Sequence, residues 1–518
     1  MAFCLYASLP CSVYICAVKK RKQNIILEKV LVSDYAAEGK SLAKVDGKVI
    51  FIESAVPGDV VDIQLIKSKK DWGEGRPIHF HTYSPERETP FCSHFGVCGG
   101  CQWQMLPYEK QLAYKQKQVS DNLQRIGKVD LPEMLPIAGA PETKFYRNKL
   151  EYTFGTKEFT KEKPPRPPKG GSGNSSKPED PFQQSETKAP PSEGFGEASF
   201  AGFHAKGWFD KIVDIKTCYL QAEPTNAIRL AIKDFASQNQ YSFYDIRNHN
   251  GLLRTMQVRL CTTGELMVNI VFGENDKEKI KTILAFVAEK FPEITTLLYT
   301  INTKMNDSLH ELEPIVYSGK GYAIEKLSTG FGDESFQFKI GPKSFFQTNT
   351  KQAEKLYQIT RDFAELSGSE TVYDLYCGTG SIGIFVSKLA KKVIGVELIE
   401  AAINDAKENA ALNNLSHTSF FAGDVIDICN DEFFLAHGRP DVIITDPPRA
   451  GMHEKLVKKI LDMNAPVVVY VSCNPATQAR DLALLGEKYA VTKIQPVDMF
   501  PHTHHIENVV QLKLKTEA

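Results

Sequence analysis

Cys473 stands two residues beyond the apolar run Ala465-Pro-Val-Val-Val-Tyr-Val471, inside Tyr470-Val-Ser-Cys-Asn-Pro-Ala-Thr-Gln478. The run is short, β-branched and uncharged, which predicts a buried strand that opens into a loop at the cysteine. A lone cysteine is ordinarily a small buried hydrophobe. Just past the carboxyl end of a strand in an open α/β sheet, where ligands bind, a thiol is placed to be a nucleophile. A thiolate that adds to a substrate needs a base to clear a proton before it can leave. Glu507, 34 residues downstream in His502-Thr-His-His-Ile-Glu-Asn508, is the candidate base. Its plain alternative is an exposed carboxylate at a strand end.

A second constellation lies upstream. Asp374-Leu-Tyr-Cys-Gly-Thr-Gly-Ser-Ile-Gly383 places Gly378, Gly380 and Gly383 in G-x-G-x-x-G spacing between an expected strand and helix. Such glycines allow a tight turn and close approach of the backbone to a ligand. The spacing alone also fits a dinucleotide. Asp374, inside the strand end, decides for S-adenosylmethionine: a carboxylate there attracts an ammonium or sulfonium and repels a pyrophosphate. Glu397 ends the next strand, where it can accept from both ribose hydroxyls of either ligand. Asp424, in Phe421-Ala-Gly-Asp-Val425, is placed to meet the adenine or simply to close a turn. Asp446-Pro-Pro-Arg-Ala-Gly451 ends the following strand. Related motifs with an aromatic in place of Arg449 occur in amine methyltransferases, so Arg449 argues against an amine target and leaves carbon open.

Carbon methylation accounts for the cysteine. Uridine C5 is a poor nucleophile; a thiolate bonded to C6 makes the ring an enolate whose C5 can attack a sulfonium methyl group. Removal of the C5 proton then expels the thiol.

Taken together and in this order, Ser344-Phe-Phe-Gln-Thr-Asn349, DLYCGTG, DPPRAG, SCNP and His505-Ile-Glu507 resemble the bacterial RNA uridine-C5 methyltransferases. The likeness is to members that modify 23S rRNA, which carry a TRAM domain and an iron–sulfur motif, and it covers nearly all of the chain after residue 19. The resemblance implies that Cys473 is the nucleophile and Glu507 the proton acceptor. It also implies that Gln347, Tyr376, Glu397 and Asp446 contact the cofactor. Many relatives have Asn in the glycine loop where this chain has Ser381.

Cys92, Cys98, Cys101 and Cys218 form C-x5-C-x2-C and a distant fourth thiol. C-x2-C with two further cysteines is a metal signal, and four thiolates suit zinc or an iron–sulfur cluster alike. The resemblance of the surrounding segments to the family's site implies [4Fe–4S].

The elements that must hold these residues follow a clear order. From about Leu356 helices alternate with the strands 371–376, 392–397, 441–446, 467–472 and 507–515, which predicts a doubly wound α/β methyltransferase domain over 346–518. Residues 82–345 read as an α+β central domain, with a helix over 108–126 and a strand over 145–154. In that domain Arg147 and Lys149 are candidates for RNA contact. Residues 19–81 read as short strands joined by Asp46-Gly47 and Pro57-Gly58-Asp59 turns, a small TRAM- or OB-like β-barrel. Lys19 to Arg76 carries 12 Lys and Arg against 9 Asp and Glu, a mild basic excess suited to a phosphate backbone. The Pro, Gly, Ser and charge of 160–198 cannot build a core, and a disordered insertion is expected there. Residues 1–18 read as a leader or an upstream start-site artefact.

Composition sets the bounds. The 518 residues suffice for two to four domains, and a net charge of −1 gives no bulk signal of nucleic acid. Eleven cysteines without a dense framework point to a reducing, cytoplasmic setting. No segment reads as a membrane span, and a monomer without an obligate protein partner is expected. The expected function is uridine-C5 methylation of RNA, with 23S rRNA favoured by the barrel and the cysteine set. The alternatives are tRNA as substrate, or an RNA-binding scaffold without chemistry. Cytosine-C5 methylation is disfavoured because the DPPR loop lacks a second cysteine.

Overall fold

A computed structural model describes residues 25–159 and 199–516. The readings of 1–18 and 160–198 fall outside these residues. The chain divides into two units: one holds residues 40–85 with the strand before them, and the other holds 35–39 and 86–518.

The smaller unit carries the expected barrel. Its six-stranded sheet runs, in spatial order, Ile26–Leu31, Val60–Ser68, Trp72–Thr82, Lys48–Ile52, Ser41–Val45 and Asp34–Tyr35. Asp46 and Gly47 both take positive φ, 49° and 76°, between the paired residues Val45 and Lys48. That is the hairpin turn an Asp-Gly pair favours, because its twist matches the strands it joins. Asp59 is fully buried and accepts from the amides of Val56 and Ser84, tying the next turn to the chain after the last barrel strand. Val30, Val32, Ile50, Ile52, Val61 and Ile63 fill the interior.

In the larger unit, a seven-stranded sheet is built from Ile315–Gly319, Thr296–Ile301, Leu266–Phe272, Leu253–Leu260, Lys149–Gly155, Phe200–His204 and Ile212–Asp214. The helices Thr225–Gln238 and Lys277–Lys290 share its apolar core. The strand expected at 145–154 begins only at Lys149. Phe145 adopts φ +55°, and the Asn148 side-chain amide donates instead to the carbonyl of Gln347 and to Thr350 Oγ1, at 2.9 and 2.8 Å. Tertiary bonds to the catalytic half thus override local strand preference.

The second seven-stranded sheet is the catalytic one. We label its strands β1 (Thr371–Leu375), β2 (Lys392–Glu397), β3 (Thr418–Ala422), β4 (Val442–Thr445), β5 (Val467–Ser472), β6 (Tyr489–Val497) and β7 (Glu507–Leu514). The spatial order is 3-2-1-4-5-7-6. Strands β1 to β5 are parallel, and β7 pairs antiparallel with both β5 and β6. β3 and β6 are additions to the strands read from sequence. The hairpin Ala323–Ser328/Ser335–Ile340 lies ahead of the expected boundary at residue 346, yet Leu327, Phe336, Phe338 and Ile340 pack into the catalytic core. The helix Tyr108–Asn122 also docks here, through Val119 against the β1 and β5 side of the sheet. Among the described residues no helix is long and apolar enough to cross a membrane.

Candidate active site

The carboxyl ends of β1, β2, β4 and β5 gather the candidate residues at one edge of the sheet, where parallel strands leave loops free to hold ligands. Antiparallel pairing of β5 with β7 completes the site. Ser472 pairs with Asn508, so Cys473, one residue after the former, and Glu507, one residue before the latter, come side by side. The register is locked by Gln478, whose amide donates to the carbonyls of Tyr470 and Asn508 while its Oε1 accepts from Asn508 Nδ2 at 2.7 Å.

The neighbours of Cys473 in SCNP are structural. Asn474 caps the helix Pro475–Leu485 by accepting from Ala476 N at 3.2 Å, and Pro475 occupies the first turn, where its missing N–H costs nothing. Asn474 Nδ2 also donates to the carbonyl of Arg449 at 3.0 Å, tying the DPPR loop to the cysteine loop. Burial and the carboxylates of Glu507 and Asp446 push the Cys473 thiol up to about 11, while the adjacent Arg449 guanidinium opposes them. Glu507 is itself held well above the ordinary carboxyl range, by burial first and by Asp446 second. Burial raises Asp446 to about 7. Asp446 and Glu507 therefore resist simultaneous ionisation until a cation joins them.

Arg449 and His505 were not singled out as functional by sequence, Arg449 having served only to argue against an amine target. The structure brings the Arg449 guanidinium to the thiol and to Glu507, and its Nη2 donates to His505 Nδ1 at 3.2 Å. The departure from an aromatic at position 449 was the available signal.

The glycine loop has the geometry of a cradle. Tyr376, Gly378 and Gly380 all have positive φ, 63°, 53° and 78°. For the tyrosine that conformation costs about 1–3 kcal/mol, and its N–H donates to Val396 O at 2.9 Å to hold it. A Cβ on Gly378 would meet nothing within 4 Å, so space lies in front of the loop, whereas one on Gly380 would press on Ala406 and Phe420. Asp374 Oδ2 accepts from Gly383 N at 2.8 Å, but its buried Oδ1 has no partner. Burial raises this carboxyl to about 7. An unpaired buried carboxylate oxygen beside an open cradle fits a cationic amino-acid ligand. Glu397 is partly engaged, accepting from Gly378 N and Ile399 N at 3.3 and 3.0 Å. Ser381 Oγ lies 3.0 Å from Tyr357 OH, and Gln347 is buried in the loop bonded to Asn148. Asp424 is exposed and caps the turn Val425–Ile428, accepting from Ile426 N at 2.8 Å. Its turn role is what the geometry displays.

Cys92, Cys98, Cys101 and Cys218 are all free thiols, close enough to influence one another's ionisation. Each receives a donor: Cys92 from the His94 and Phe95 amides, Cys98 from Gly100 N at 3.4 Å, Cys101 from Gln104, and Cys218 from the Leu220 amide. Among the described residues, no three His, Cys, Asp or Glu side chains converge as a ready metal site.

Residues 313–515 match the family described as tRNA (Uracil-5-)-methyltransferase, and residues 28–78 match the TRAM domain. An uncharacterized RNA methyltransferase of Bacteroides thetaiotaomicron is 50% identical over 93% of this chain and 100% of its own length. One from Porphyromonas gingivalis is 48% identical over 94% of this chain and 100% of its own. The chain belongs to this family of RNA methyltransferases. Among solved structures, Pyrococcus abyssi tRNA (uracil-54, C5)-methyltransferase in complex with S-adenosyl-L-homocysteine aligns with a TM-score of 0.67. It is 26% identical and covers 93% of this chain and 100% of its own. The protein is thus a methyltransferase with a SAM-dependent catalytic fold, and the TRAM assignment agrees with the barrel.

Proposed function

We propose that the protein methylates C5 of a uridine in 23S rRNA, with S-adenosylmethionine as methyl donor and a covalent bond from Cys473 to C6 of the base. The observation that carries this reading is the β5–β7 register, which pairs a thiol with a buried carboxylate beside the cofactor cradle. The thiolate adds to C6, and the C5=C6 electron pair moves into the ring as an enolate. C5 then takes the methyl group as the sulfonium carbon–sulfur bond breaks. Glu507 accepts the C5 proton, C5=C6 reforms, and the thiolate leaves. Arg449 favours the thiolate before addition and after departure. Asp374, Glu397, Asp446, Gln347 and Tyr376 are assigned to hold the cofactor, with Gly378, Gly380 and Ser381 shaping its loop.

The four cysteines are assigned to a [4Fe–4S] cluster, with zinc as the alternative. The N–H donors aimed at their sulfurs are the kind that stabilise and tune metal-bound thiolates.

A second reading takes tRNA as substrate, because the Pyrococcus abyssi enzyme is named for it. Mapping 5-methyluridine in 23S rRNA and in tRNA, from cells with and without the gene, separates the two. Loss of one rRNA site that returns with wild type but not with Cys473→Ala supports the proposal. Loss confined to tRNA transfers it to the second reading, and no loss in either rejects both.

A further inference from the structure

The central sheet carries an exposed aromatic pair that the catalytic site does not use. Between the paired strands Phe200–His204 and Ile212–Asp214 the chain turns through Ala205 to Lys211. Trp208 N donates to Ala205 O at 2.9 Å, and Gly207 takes φ +79° to close that turn. Trp208 and Phe209 follow at the tip and are 47% and 64% exposed. Cations lie over both rings: Lys211 Nζ is 4.6 Å from the Trp208 centroid, and the Arg247 guanidinium carbon is 5.4 Å from that of Phe209. Arg247 reaches in from the neighbouring loop, fixed by Asp210, yet its side chain stays 55% exposed. Asp245 and Asp307, further carboxylates here, are taken up by Lys157 at 3.3 Å and by Arg254 at 2.7 Å.

The tip is anchored toward the catalytic cleft. Lys206 N donates to Val97 O at 3.0 Å, and Gly99 N donates to His204 O at 3.3 Å. The segment after Gly99 returns to the active-site loop, where Gln102 N and Trp103 N both donate to His502 O. Lys206 is near enough to His504 to disfavour its protonation. His504 neighbours His505, which holds Arg449 beside the nucleophile. Backbone hydrogen bonds through residues 97–103 thus link the hairpin tip to the loop that carries His505.

We propose that Trp208 and Phe209 are a stacking platform for single-stranded RNA flanking the target uridine, with Lys206, Lys211 and Arg247 on its phosphates. This rests on the reading of the protein as an RNA methyltransferase. Every base presents a π-face, so exposed rings hold a strand without reading its sequence, and adjacent cations track the backbone. Carboxylates already engaged in ion pairs leave the cations to dominate the local field.

The test compares wild type with Trp208→Ala/Phe209→Ala, using fluorescently labelled oligouridylate of about 20 nucleotides, long enough to extend beyond one binding site. Loss of stacking should weaken Kd about 5- to 150-fold for each base released. Trp208→Phe/Phe209→Tyr should restore binding, and Lys211→Ala should lower the salt slope by about one. In methylation assays the double-alanine variant should raise KM and spare kcat. Unchanged Kd overturns the platform. So does a lowered Tm with RNA affinity intact, since the rings would then pack against the chain itself. A wild type that makes 5-methyluridine while the double-alanine variant binds normally rejects the platform alone. A wild type that neither binds the oligomer nor makes 5-methyluridine rejects the functional reading with it.

Discussion

Arg449 donates from Nη2 to Nδ1 of His505 at 3.2 Å. Arginine has no acceptor, so His505 must present a bare Nδ1 and keep its proton on Nε2. Burial, reinforced by His504 and Arg449, holds this imidazole down to about 3, which keeps it neutral and able to accept. The pair aims a permanent cation at a thiol that burial and two carboxylates push up to about 11, and it opposes that shift. Arg449→Ala should raise the Cys473 thiol further and slow adduct formation with 5-fluorouridine RNA, about tenfold for each pKa unit gained. The rate should recover as pH rises. A rate and pH profile equal to wild type would remove Arg449 from activation.

Glu507 acts only after methyl transfer, so Glu507→Gln should stall rather than fail at the start. Protein should accumulate bonded through Cys473 to methylated RNA, as a slow band on a denaturing gel that carries label from the methyl donor. Cys473→Ser should give no such band. Full turnover by Glu507→Gln would assign the proton to another base.

Burial raises the carboxyls of Asp374 and Asp446 to about 7, above their ordinary 3.8. A folded pKa raised above the unfolded value means the native state binds more protons between about 4 and 7, so protein without added cofactor should lose stability as pH climbs through that window. A cationic cofactor favours the ionised carboxylates, so its affinity should rise over the same window and level off above about 7, by at most about tenfold per pH unit for each proton released. Calorimetric titration with S-adenosylmethionine from pH 5 to 8 reads this directly. Asp374→Asn should flatten the profile and weaken binding.

Protein purified without oxygen should be brown and hold about four irons per chain if the cysteines carry a cubane. Stoichiometric zinc without iron or sulfide would decide for the alternative. Cys92→Ser should lower the Tm, because metal binding is coupled to folding.

Lys115 and Asp498 form an ion pair at 2.6 Å with both side chains 0% exposed. It fastens the helix Tyr108–Asn122 to the segment that leads into His505 and Glu507, and Tyr108 OH donates to the same carboxylate at 2.8 Å. Lys115→Met leaves a buried anion unpaired and should cost about 3–5 kcal/mol. Lys115→Met/Asp498→Leu should recover part of that loss in urea unfolding. A single variant as stable as wild type would show that Asp498 is satisfied without the lysine.

Local patterns carried much of the architecture. The run 467–472 is β-branched and uncharged, and becomes β5; Asp46-Gly47 can hardly be anything but a hairpin turn. β3 and β6 escaped because Thr418–Ala422 opens on two polar residues and buries only Phe420, and Tyr489–Val497 mixes polar residues into its run. Residues 145–148 read as strand and are loop, because Asn148 trades ladder bonds for partners about 200 residues away, which no local signal records.

By itself the sequence determined which groups could do the chemistry. A cysteine at a strand end, a carboxylate before the last strand, a glycine loop opened by Asp374 and four spaced thiols are all local facts. Only the tertiary structure decided which of them meet. Cys473 and Glu507 become neighbours because β7 turns back antiparallel beside β5, Arg449 joins them because Asn474 ties its loop to the cysteine loop, and His505 meets Arg449 by a hydrogen bond. Register and burial are properties of strands brought together from distant parts of the chain. So are the raised carboxyls and the guarded thiol that follow from them.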